Sequence, residues 1–206
     1  MIGVGAIGSY AVSALARLGI GIIRVYDGDV LEEHNISNQH SWSDMLGQPK
    51  VRCLESIVQK ETGLEIQGFA TNWNTSCTLA DIVVSAVDRL SARKDIWKKM
   101  RLNPKASLLI DPRMGAEVGH LFIVNPKDMD QFENYESSLE GEAEELPCSA
   151  RSIVYCPMVM GGIIADVVKR HICRQWNPQE IIMDLKSFKF WTMPENPPKE
   201  EPNGQQ

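Results

Sequence analysis

The amino-acid sequence predicts an α/β protein built on a doubly wound, mostly parallel sheet. Three observations carry that expectation. Strand-like and helix-like stretches alternate along the chain, a glycine cluster sits where the first strand gives way to a helix, and aspartates end several predicted strands. Ligands of such sheets sit at the carboxyl ends of the strands, where Asp27, Asp88 and Asp111 fall.

Ile2 to Val4 reads as the end of a strand. Ile7, Ala11, Ala14 and Leu18 then recur at helical spacing, and Gly19 closes that helix. Ile20 to Tyr26 is a β-rich run ending at Asp27. Trp42 to Lys60 is expected as a helix, Leu64 to Ala70 as a strand, and Asp81 to Val87 as an apolar strand ending at Asp88. Ser91 to Arg101 has helical character, with Ser91 in a capping position. Ser107 to Ile110 forms a strand ending at Asp111, and Glu117 to Val124 a further strand. Met158 to Cys173 is apolar on all sides for most of its length, which predicts a central buried helix with Gly161 and Gly162 permitting close backbone approach. Asp184 to Trp191 is expected as an edge strand. The strand feeding the glycines should be central and about five residues long, so either it is clipped or residues upstream of Met1 are missing.

Composition narrows the function classes. With 206 residues, 43% hydrophobic and 23% charged, the chain has the make-up of an ordinary globular domain. The uncharged run Tyr155 to Ala165 is too short to span a bilayer, and no signal segment follows Met1, so a cytoplasmic protein is expected. Eight carboxylates lie between Asp128 and Glu145 with no Lys or Arg, turning the formal balance of −6 into +2 for the remainder. That acidity argues for one solvated loop and against a nucleic-acid partner. The expected organisation is therefore a single domain over 1–192, with an acidic loop at about 126–150, and a disordered tail over 193–206. Five cysteines without a C-x-x-C pair argue against a disulfide framework and a structural zinc. Cys156 and Cys173 read as packing residues, as do the five tryptophans, and the four histidines show no metal-binding spacing.

The glycine cluster Gly3-Val4-Gly5-Ala6-Ile7-Gly8 has a mechanical reading. Gly3 permits a tight turn, Gly5 lets backbone approach a ligand, and Gly8 allows close helix–strand packing. The helix that follows offers free N–H groups to an anion. Asp27 lies 19 residues after Gly8, where its carboxylate can accept hydrogen bonds from ribose hydroxyls. The combination points to a nucleotide.

Four motifs narrow the nucleotide's use. Asp27-Gly28-Asp29-Val30-Leu31-Glu32-Glu33-His34-Asn35-Ile36-Ser37-Asn38-Gln39 resembles the D-x-D-x-V-E-x-x-N-x-x-R-Q stretch of the ubiquitin-activating-enzyme-like family, the ThiF/MoeB-type adenylyltransferases. Gly47-Gln48-Pro49-Lys50 resembles that family's G-x-x-K, and Val83-Val84-Ser85-Ala86-Val87-Asp88 with Arg93 resembles its V-V-D-A-x-D-N…R strand end. Met158 to Val168 is similar to its late buried helix, so the likeness spans roughly 1–175.

The resemblance implies a Rossmann-like fold with an acidic crossover loop and late antiparallel strands. It implies a nucleotide-binding set of Gly3, Gly5, Gly8, Asp27, Asp29, Asn35, Asn38, Gln39 and Lys50. Within that set Asp27 would hold the ribose, and Asn35, Gln39 and Lys50 would line the phosphates. Lys50, Asp88 and Cys148 would be the catalytic residues, with Asp88 holding Mg2+ and Cys148 taking an activated acyl group or handling sulfur. The implied reaction uses ATP to adenylate the C-terminal carboxylate of a small ubiquitin-like or sulfur-carrier protein, in a homodimer or heterodimer. Asn38 stands where the family has arginine, and the second arginine, which relatives commonly supply from an N-terminal helix of the partner subunit, is not expected from this sequence. Arg89, Arg93, Arg113 and Arg151 are candidates to compensate. The alternative is a catalytically degenerate member that binds a nucleotide or a partner. A dehydrogenase is disfavoured because hydride transfer has no use for Asp29, Asn35, Gln39, Gly47 and Lys50.

Overall fold

The computed structural model describes residues 1–140 and 153–194. Strands β1 (Arg24–Tyr26) and β2 (Gln67–Phe69) pair in parallel, as do β3 (Ile82–Val84) and β4 (Leu108–Gly115). Ile2 bridges the two pairs, with parallel contacts to both Tyr26 and Ser85. Its N–H donates to the Val84 carbonyl at 2.9 Å, and Gly3 N–H donates to the Tyr26 carbonyl at 2.9 Å. The sheet continues antiparallel through β5 (Val118–Val124), β6 (Glu180–Asp184) and β7 (Lys189–Met193). Parallel strands at one side and antiparallel strands at the other match the expected fold class.

Helices cover both faces of the sheet. On one face, α1 (Ala6–Arg17), α2 (Lys50–Thr62) and α5 (Tyr155–Ile172) bury Ala11, Leu15, Leu54, Ile164 and Val168 against Val25, Ile110 and Leu121. On the other, α3 (Leu90–Arg101) and α4 (Met129–Ser138) bury Ile96, Trp97 and Tyr135 against Val83, Leu109 and Phe122. The alternation of Leu109 with Ile110, and of Leu121 with Phe122, is the period-two pattern of a sheet buried on both sides. A Cβ on Gly161 would meet Ala11 N at 2.9 Å, so this glycine sets how closely α5 lies on α1. Gly162 has open space around it and plays no such part.

Several boundaries differ from expectation, each for a local reason. The helix expected from Trp42 starts only at Lys50, because Gly47 adopts φ +80° and Pro49 takes the N-cap; Ser43–Met45 is a separate short turn. Helix α3 begins at Leu90 with Arg89 at its N-cap, leaving Ser91 inside the first turn. The edge strand expected over Asp184 to Trp191 is a hairpin, its turn held by Asp184 Oδ1 accepting from Lys186 and Ser187 N–H groups. Part of the acidic stretch is helical: Asp128 caps α4 by accepting from the Asp130 and Gln131 N–H groups, and Tyr135 and Leu139 are buried. Helix α5 is not buried all round, since Met158 and Ile172 are about half exposed. Asp111 does not end β4 but lies inside it, fully buried. Among the described residues no helix is long and apolar enough to cross a membrane.

Candidate nucleotide site

The glycine turn is built by sterics. Gly3 has φ +89°, and a Cβ there would lie 2.3 Å from the Ala86 carbonyl oxygen. A Cβ on Gly8 would lie 2.2 Å from the Gly3 carbonyl oxygen, so the first turn of α1 can pass this close to Gly3 only with glycine at that position. Gly5 meets nothing within 4 Å and faces open space. Gly3 and Gly8 thus have the turn and packing roles read from the sequence, and Gly5 leaves the backbone uncovered.

That open space is a cavity of about 460 Å3 at the carboxyl ends of β1 and β3. Gly3, Gly5, Asp27, Asp29, Gln39, Lys50 and Asp88 all line it. Seven of the residues expected at the site therefore converge from four separate stretches of chain. Asp27 is anchored at both oxygens: Oδ2 accepts from Val4 N–H at 2.7 Å and Oδ1 from Asp29 N–H at 2.9 Å. The remaining lone pairs can still accept hydroxyl donors. Lys50 opens α2, its side chain 10% exposed, and its Nζ lies 2.8 Å from Asp29 Oδ2. Asp88 is exposed, in the loop that leaves β3.

Three expected residues stand outside the cavity lining. Gly8 acts from behind, through packing. Asn35 is buried and organises the turn before Gln39: its Oδ1 accepts from Glu32 N–H at 3.1 Å, and its carbonyl accepts from Gln39 N–H at 2.9 Å. Asn38 Oδ1 is buried without a hydrogen-bond partner. Cys148, the remaining catalytic candidate, lies outside the described residues, as does Arg151.

The other candidate arginines separate cleanly. Arg93 is 8% exposed and ion-paired with Asp111, and it donates to the carbonyls of Ser85, Val87 and Pro112. Burial first, and then the charge of Arg113, pull its pKa down to about 10, still charged near neutral pH. Arg113 is held by Asp111 Oδ2 at 3.0 Å and by Ser138. Tyr135 OH also donates to Asp111 Oδ2 at 3.0 Å, and burial pushes its pKa up. Arg89 lines the cavity and is exposed.

Sequence reasoning missed the Asp111 cluster and Trp73. Trp73 lines the cavity, and its Nε1 is buried without a partner. It sits in an irregular stretch with no motif around it, so nothing in the sequence distinguished it from a packing tryptophan. The cluster could have been suspected from Asp111-Pro112-Arg113, a charged pair immediately after an apolar run. Cys173 is exposed, not packed, whereas Cys156 is buried as expected. Among the described residues no group of three His, Cys, Asp or Glu side chains could hold a metal by itself. Asp88 suits a magnesium ion shared with ligand phosphates, since that ion is commonly held by one or two carboxylates plus phosphate oxygens.

A family model described as the ThiF family matches residues 1–206. Over 59 residues the chain is 40% identical to the tRNA threonylcarbamoyladenosine dehydratase of Bacillus subtilis, covering 28% of this chain and 23% of that protein. The crystal structure of Escherichia coli MccB with ATP superposes with a TM-score of 0.74 at 19% identity, over 93% of this chain and 61% of that one. The structure of PaaA gives a TM-score of 0.73 at 19% identity, over 92% and 61%. MccB has also been crystallised with AMPCPP and MccA. The chain thus spans less than two thirds of the length of each of these relatives.

Proposed function

We propose that this chain, which belongs to the ThiF family, binds magnesium-ATP in the cavity beside Gly5 and adenylates the C-terminal carboxylate of a small ubiquitin-like or sulfur-carrier protein. The observation that carries the reading is the convergence of Gly3, Gly5, Asp27, Asp29, Gln39, Lys50 and Asp88 on one cavity of about 460 Å3. A carboxylate oxygen of the carrier attacks the α-phosphorus, the bond to the bridging oxygen breaks, and pyrophosphate leaves with its electron pair. No proton need move in that step. Asp27, fixed by two backbone N–H groups, accepts the ribose hydroxyls. Gly5 keeps side-chain bulk away from the phosphates, and Gln39 offers its amide to them. Lys50, positioned by Asp29, meets the charge that builds as pyrophosphate departs. Asp88 holds the magnesium ion, which when bound neutralises phosphate charge.

Residues 1–192 act as one nucleotide-binding domain in this reading. A second copy or a related subunit would cover exposed apolar side chains such as Phe190 and Trp191 on β7 and Met158 on α5. The MccB structure with ATP and that with AMPCPP and MccA support the ligand class by fold likeness. Exchange of labelled pyrophosphate into ATP tests the proposal: it should require the carrier and vanish in Asp88→Ala. Nucleotide binding without exchange would assign the chain to the degenerate alternative. The 59-residue likeness to a tRNA dehydratase motivates a second reading, in which tRNA supplies the acceptor. Exchange stimulated by tRNA and indifferent to carrier would select it.

A further inference from the structure

Two motif positions have traded residue types. The family pattern has arginine before the glutamine and asparagine after the strand-end aspartate, whereas this chain has Asn38 before Gln39 and Arg89 after Asp88. Asn38 does not line the cavity, and its buried Oδ1 finds no partner. Arg89 does line it, from the N-cap of α3, where the extended backbone (φ −89°, ψ 128°) sets it beside Asp88. Its guanidinium makes no hydrogen bond or ion pair among the described residues.

Charge decides what that guanidinium is for. The cavity lining holds three carboxylates (Asp27, Asp29, Asp88) against two cations, Lys50 and Arg89. Lys50 is already engaged by Asp29. Arg93 and Arg113 are both bound to Asp111. A triphosphate brought into so acidic a lining needs a cation that is not already neutralised, and arginine suits phosphate through its planar fork of donors. We propose that Arg89 is a second phosphate-binding cation of this site beside Lys50, standing in for the arginine that the family places at position 38. The inference rests on the reading of the cavity as a magnesium-ATP site.

Calorimetric titration of the full chain with ATP and with AMP, each with Mg2+, tests it. Arg89→Asn should weaken ATP binding about tenfold to a hundredfold, the size expected for a hydrogen bond to a charged group. AMP affinity should change less than about twofold, because the contact is to phosphates AMP lacks. Adding Asn38→Arg to Arg89→Asn should recover part of the lost ATP affinity, and Arg89→Lys should lie between Arg89→Asn and wild type. Thermal melts should match wild type, since Arg89 is exposed. An unchanged ratio of ATP to AMP affinity in Arg89→Asn overturns the proposal, and so does failure of the folded double variant to recover any ATP binding. Wild-type protein that binds no ATP would instead remove the magnesium-ATP reading itself.

Discussion

Replacing Asp111 by alanine should destabilise the protein severely, and the partners around it set the size of the loss. Its carboxylate is fully buried: Oδ1 is ion-paired with Arg93, and Oδ2 accepts from Arg113 and the Tyr135 hydroxyl. Removing it strands the Arg93 guanidinium, 8% exposed, with carbonyl partners alone. Taking away one partner of a buried ion pair costs about 3–5 kcal/mol. The carbonyls of Ser85, Val87 and Pro112 still accept from Arg93, and Arg113, whose side chain is 27% exposed, can turn toward water. The lower end, about 3 kcal/mol, is therefore expected, which for a chain of this length lowers Tm by about 6–12 °C. Urea unfolding should show the loss as a reduced midpoint with unchanged slope. Adding Arg93→Met to Asp111→Ala should recover part of it, because the stranded charge is then gone. A loss under about 1 kcal/mol, or a double variant no more stable than Asp111→Ala, would refute this account of the cluster.

Other predictions follow from single contacts. Gly8→Ala puts a methyl 2.2 Å from the Gly3 carbonyl oxygen, so purified protein should lose nucleotide binding and melt lower; ATP titration alongside thermal melts checks both. Lys50→Met should weaken ATP binding by about tenfold or more while leaving the melt near wild type, an effect of the size of a charge-assisted hydrogen bond. His171, hydrogen-bonded to Ser107 at 3.0 Å, has its pKa lowered by burial. The folded state therefore takes up its proton at lower pH than the unfolded chain, and stability should fall as pH drops below about 6.5. His171→Gln should flatten that part of the stability–pH curve, and an unchanged slope would dismiss the residue as its source.

Local chemistry explains which features could be read from the chain. The glycine turn was legible because each glycine answers a constraint set by its immediate backbone: positive φ at Gly3, close contact at Gly8. Asp27 was legible for the same reason, its distance from the turn being fixed by one helix and one strand. Asp111 was not, because an apolar run followed by aspartate looks alike at a strand's end and in its middle. Only pairing with β5 carries β4 past it and buries it. In the acidic stretch, net charge masked a stripe of Phe132, Tyr135 and Leu139 at helical spacing, the face that packs against Trp97 and its neighbours. Apolar spacing likewise hid the break at Gly47 and Pro49, although both are strong punctuators of a helix. Trp73 depends on where an irregular segment returns to the sheet, which no local pattern specifies.

Whether this cavity grips a magnesium-bound triphosphate is decided by a crystal structure of the protein with ATP and Mg2+. Ribose hydroxyls should lie on Asp27, Asp88 should hold the metal ion, and Lys50 should come within hydrogen-bond distance of a phosphate oxygen. Nucleotide bound elsewhere on the molecule, or seated here with its phosphates turned away from both Lys50 and Asp88, would contradict that arrangement.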